Sequence, residues 1–131
     1  MMSIGSWEPP GSTAPVKPEL LDSFIEYSRS QKLELLEQQL SAAERSALPE
    51  LMQLAPEHWA ELGASRDDGE LLHLIRFFTM AENLSGCEAN DKSPVIPISR
   101  LLRRRGHRLD RELLQWIRDV NKNRFLPYGA L

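Results

Sequence analysis

A chain of 131 residues suits one domain, and one of this size buries roughly two thirds of its unfolded surface without needing a covalent staple. The single cysteine, Cys87, excludes an internal disulfide and has no second ligand at metal-site spacing, which predicts a reducing compartment, the cytoplasm, and neither metal nor other cofactor. Net charge is only −3, yet residues 1–90 carry 15 acids against 6 Lys/Arg while residues 91–131 carry 10 Lys/Arg against 4 acids. Such a division permits an anionic partner at the C-terminal end, or two halves that face each other within a domain or across a dimer. No segment approaches the ~20 apolar residues of a membrane span, and the start has neither a basic leader nor an apolar run of secretory length, so no membrane partner is expected.

Residues 1–17 hold Pro9, Pro10 and Pro15 among Gly, Ser and Thr without apolar period, which predicts a flexible tail. Its one large anchor is Trp7, readable as a docking motif Trp7-Glu-Pro-Pro10 or as a frayed end. Pro18 suits a first helical position, and Leu20, Leu21, Phe24, Ile25 and Tyr27 then share a face. The next apolar set, Leu33, Leu36 and Leu40, would lie about 130° away on a continuous helix, so a break falls between Ser28 and Ser30. Ser41-Ala-Ala-Glu44 has capping-box spacing. Pro49 and Pro56 should divide the following stretch into short helical pieces, because neither can donate a mid-helix hydrogen bond. Leu48, Leu51, Leu54, Trp59 and Leu62 are its candidates for burial.

Ser65-Arg-Asp-Asp68 is expected to open a central helix, with the hydroxyl as cap and two acids at the positive end of the dipole. Over residues 69–84, Leu71, Leu74, Ile75, Phe78 and Ala81 fall in one arc, with Phe77 at its edge and Arg76, Thr79 and Asn83 opposite. Glu82 falls inside that arc. A carboxylate aimed at a core must be paired, protonated or functional. After a polar loop, Ser93 and Pro94 should open a helix that turns Val95, Ile98, Leu101 and Leu102 inward and ends at Gly106. Asp110 caps the last helix, with Leu109 placed to pack on Leu114 and with Leu113, Leu114, Trp116, Ile117 and Val120 inward. Pro127 prevents continuation into the extended tail, where Phe125 and Leu126 should plug the bundle with Tyr128 at its rim, or else dock another subunit. With no hairpin turn and no repeat, the fold expected is all-α: a single small helical bundle of about five to seven helices around residues 70–84, forming one domain over 18–131.

Two constellations could carry function. The first is the basic cluster Arg100, Arg103, Arg104, Arg105, His107, Arg108 and Arg111, which could meet another protein, a second copy of the chain, nucleic acid or only solvent. A helix-turn-helix reader is disfavoured, since alignment on Gly106 puts Arg105, His107, Glu112 and Gln115 where that motif needs apolar residues. The second pairs Glu82 with Arg124, which shares a face with Leu113 and Ile117 on the last helix; a buried ion pair is the structural reading and an acid–base site the catalytic one. His58, His73 and His107 lack metal-ligand spacing, His73 is expected to face solvent, and Cys87 has no flanking base to activate it. The reading that follows is a small cytoplasmic adaptor or regulator acting through the basic helical face. Nucleic-acid binding by the same arginines is the alternative, and an enzyme built on Glu82 the third.

Overall fold

Seven α-helices and no strand make up the residues that the computed structural model describes, 16–123, 125 and 126. Trp7, Arg124 and Tyr128 lie outside the described residues, and with them the expectations attached to each. Helix α1 (Pro18–Arg29) begins with proline at its first position and buries Leu21, Phe24, Ile25 and Ser28. It stops where the apolar phase changes. Lys32 N–H donates to Tyr27 C=O at 3.0 Å and Gln31 N–H to Ser28 C=O at 3.1 Å, with Gln31 in the left-handed region at φ 58°.

A single tight turn, Leu33–Leu35, leads into the short α2 (Leu36–Gln39). Helix α3 (Ala42–Leu51) starts with the expected capping box, Ser41 Oγ accepting from Glu44 N–H and Glu44 accepting from Ser41 N–H. The Tyr27 hydroxyl donates to the same carboxylate at 2.7 Å and ties α1 to α3. Burial, reinforced by that carboxylate, pushes the phenol up to about 12. Pro49 does not divide the stretch as expected: it lies inside α3. It sits in the last turn, so only the bond to the Arg45 carbonyl is forfeited before the helix ends.

Pro56 does begin a new helix, α4 (Pro56–Ala64). Ser65 belongs to the end of α4 rather than to the start of the central helix, α5 (Asp68–Ala81). The cap of α5 is instead Asp67, which accepts from Glu70 N–H at 2.8 Å while Glu70 accepts from Asp67 N–H at 3.1 Å. A carboxylate serves there better than a hydroxyl because it also meets the positive end of the dipole.

The expected stripe on α5 is buried, and so is more of the helix. Phe77 stacks on Phe24 at 4.0 Å, and Phe78 stands edge-on to Trp59 at 5.1 Å. Each such pair adds about 0.5–1.5 kcal/mol beyond the area it buries. Thr79, expected opposite the stripe, is fully buried, its hydroxyl donating to Ile75 C=O at 2.7 Å. The wheel misplaces it because α5 has several neighbours: α1 packs on it, as do the two helices that follow.

Those are α6 (Val95–Arg104) and α7 (Arg111–Val120). Ser93 Oγ accepts from Val95 N–H at 3.2 Å, and the Asp110 carboxylate accepts from Leu113 N–H at 2.7 Å. Helix α6 also lies along α4, where a Cβ on Gly63 would come within 2.7 Å of Leu101 Cδ2. Of the tail, Leu126 is buried whereas Phe125 is 47% exposed. Among the described residues no helix is long and apolar enough to cross a membrane.

Gly106 closes α6 with the same hydrogen-bond pattern that Gln31 completes after α1, at φ 81° and with open space around it. The two positions should therefore respond in opposite directions. Gly106→Ala is expected to lower stability by about 1 kcal/mol, and Gln31→Gly to raise it by up to about 1 kcal/mol, in chemical denaturation.

Candidate functional site

Helix α6 turns Val95, Ile98 and Leu102 into the core, which fixes the opposite direction for its cations. Arg100, Arg103 and Arg104 are exposed, and with Pro56, Glu57, Ala60 and Pro97 they line a groove of about 550 Å³ between α4 and α6. Pro56, Ala60 and Pro97 give it apolar lining, the three arginine side chains line its α6 side, and Glu57 stands among the lining residues of α4. Arg108 and Arg111 are exposed beyond it. None of these five arginines forms an ion pair with another described residue.

Arg105 is different, although it adjoins them in sequence. Its Nη1 donates to Arg66 C=O at 2.8 Å and Asp68 Oδ1 at 3.0 Å, and its Nη2 to Gly63 C=O at 3.1 Å and Ala64 C=O at 3.3 Å. One guanidinium thus bonds carbonyls at the end of α4, of which Gly63 C=O also accepts from Arg66 N–H, and the first residue of α5. His107 stands beside it, with Nδ1 3.6 Å from Asp68 Oδ2. One of the seven predicted basic residues, Arg105, therefore holds the chain together at the α4–α5 junction, and a second, His107, lies against it. Arg66 does similar work from the other side, bonding Asp22 and Glu70 and donating to Pro18 C=O at 3.0 Å.

Glu82 is in the core, only 4% exposed. Ser93 Oγ–H donates to one oxygen and Asn123 Nδ2 to the other at 3.0 Å. Burial raises its carboxyl above the usual range, outweighing the hydrogen bonds from Ser93 and Asn123 that favour the charge. Asn123 Nδ2 also donates to Asn90 C=O at 2.9 Å, and Asn121 Nδ2 to Thr79 C=O at 2.8 Å. These amides stitch the segment after α7 onto the end of α5. Neither Ser93 nor Asn123 suggests itself from the sequence, since they stand far from Glu82 in the chain.

The remaining candidates are mostly quiet. His73 does not face solvent as expected: it is half-buried, with Nδ1 2.8 Å from Ser28 Oγ, and burial lowers its pKa. Cys87 is fully buried, and the base absent from its sequence neighbours comes from α3, Arg45 Nη1 donating to the sulfur at 3.5 Å. Burial nonetheless raises the thiol. No group of three or more His, Cys, Asp or Glu among the described residues could hold a metal ion. A second depression of about 360 Å³ lies where Leu33, Glu34, Met80 and Trp116 meet, with the Arg76 guanidinium 5.7 Å from the Trp116 ring centre. No protein-family model, curated protein or solved structure matches the chain.

Two measurements follow from these contacts. Arg105→Ala should lower stability by about 1 kcal/mol, since four mostly exposed hydrogen bonds that join the end of α4 to α5 are lost together, whereas Arg103→Ala should leave the melting temperature nearly unchanged. Glu82 has a folded-state pKa above its unfolded value near 4.5, so the folded chain binds its proton more tightly. The wild type should then lose stability relative to Glu82→Gln as pH rises from about 4.5 through that raised pKa, and level off above it. Denaturation curves at a series of pH values would show this as a gap between the two proteins that widens with pH.

Proposed function

We propose that this is a cytoplasmic adaptor or regulatory protein whose α4–α6 groove binds an acidic, partly apolar segment of a protein partner. The observation that carries the reading is the combination of three arginines without ion pairs among the described residues, Arg100, Arg103 and Arg104, with the apolar lining of Pro56, Ala60 and Pro97. Guanidiniums suit carboxylates through planar, two-pronged hydrogen bonding, and their aliphatic stems extend the apolar surface. A nucleic-acid backbone would use the charge but not the apolar lining. With Arg105 engaged at Asp68 and at the carbonyls that end α4, the basic face also offers fewer free cations than the sequence count suggests. Glu82 lends no support to acid–base chemistry, being enclosed with both oxygens hydrogen-bonded.

A labelled peptide alternating Glu and Leu is a direct probe. Binding should weaken as salt rises and fall by about tenfold or more in Arg100→Glu/Arg103→Glu/Arg104→Glu, whose melting temperature should match the wild type. Binding of duplex DNA in place of the peptide, lost in the same variant, would move the assignment to nucleic acid.

A further inference from the structure

The chain carries both halves of the interaction that its groove invites. Only two large apolar side chains are strongly exposed among the described residues, Phe125 at 47% and Leu35 at 52%. Leu35 stands between Glu34 and Glu37, both exposed, and residues 33–44 contain three acids and no base. Arg45 reaches only the edge of this group, its Nε 3.6 Å from a Glu37 oxygen whose side chain is 66% exposed. The neighbouring Leu36 is buried, so Leu35 is held outward by its own anchor. The result is an apolar knob flanked by carboxylates, the complement of an apolar lining beside guanidiniums.

We propose that the partner in the α4–α6 groove is a second copy of this chain, presenting Leu35 between Glu34 and Glu37. The inference rests on the reading of the groove given above. In that arrangement Leu35 lies on the apolar lining of Pro56, Ala60 and Pro97, while Glu34 and Glu37 meet Arg100, Arg103 and Arg104. The turn that carries the knob packs on α5, with Leu33 and Glu34 beside Met80 and Trp116, and the groove runs between α4 and α6, so the knob of one copy meets the groove of another. Because knob and groove are different surfaces, two contacts related by a two-fold axis give a closed dimer, and a single repeated contact gives a head-to-tail chain. The uneven division of charge along the sequence then describes two surfaces that attract each other between molecules.

Sedimentation of the full chain over a concentration series tests this, with Leu35→Asp and Arg100→Glu/Arg103→Glu/Arg104→Glu as variants and thermal melts to establish that each folds. Leu35→Ser replaces the aspartate if that variant melts early. The wild type should associate as concentration rises and dissociate with added salt, and each variant alone should lose self-affinity by about tenfold or more. An equimolar mixture of the two variants should recover a one-to-one complex, since one keeps the groove and the other the knob. A wild type that stays monomeric, association that survives Leu35→Asp, or a mixture that fails to recombine overturns the proposal. A monomer that still captures the Glu/Leu peptide removes the second copy as partner and leaves the groove assignment standing. A monomer that captures nothing removes both.

Discussion

Burying α5 on nearly every side is the constraint on which the rest of this fold depends. A helix with Leu71, Leu74, Ile75, Phe77, Phe78, Thr79 and Ala81 all buried cannot rely on water for any polar group it carries. Its N-terminal amides are met by Asp67, and Thr79 returns its hydroxyl to the Ile75 carbonyl. At the other end the Thr79 carbonyl receives Asn121, and Glu82 receives Ser93 and Asn123. Side chains from the start of α6 and the exit of α7 are thereby committed to the end of one helix, and the order in which these elements pack is fixed by polar satisfaction as much as by apolar area.

The same commitment determines what α6 presents outward. Its apolar face lies on α5, Leu101 fits against the bare Gly63 of α4, and Arg105 is spent on the carbonyls that end α4. What remains is a row of three arginines on a helix fixed at both flanks. A helix packed this way holds the backbone that carries these arginines in place before any partner arrives, which limits the backbone share of the ordering cost of binding.

Much of this was legible because it is local. The capping box at Ser41 and Glu44, the cap at Asp110 and the left-handed glycine at Gly106 depend on residues a few positions apart, and the structure has each in place. Glu82 was legible too, since its direction on the wheel already put a carboxylate in the core. Failures arise where a second neighbour decides. Thr79 and His73 lie off the main stripe, and only the placement of α1, α6 and α7 around α5 covers them. Ser65 and Asp67 compete as caps within one short turn, and the outcome turns on which residue ends α4. Arg105 looks like its neighbours in sequence and differs only because α4 ends beside it. The groove joins Pro56 and Ala60 to Pro97 and Arg100, residues that no spacing rule relates.

Arg45 illustrates how such distant contacts give a small protein separable parts. Besides touching the Cys87 sulfur, it donates from Nη2 to Ser85 C=O at 2.6 Å, closing the loop between α5 and α6 against α3. The single thiol of the chain is therefore shut behind one guanidinium and has no solvent exposure of its own. A reagent specific for thiols must wait for the chain around Cys87 to open, so at reagent concentrations where reaction outpaces reclosing its rate counts the openings. The molecule thus carries a reporter for the motion of a loop that Asn123 also holds, through Asn90 C=O, from the side of α7.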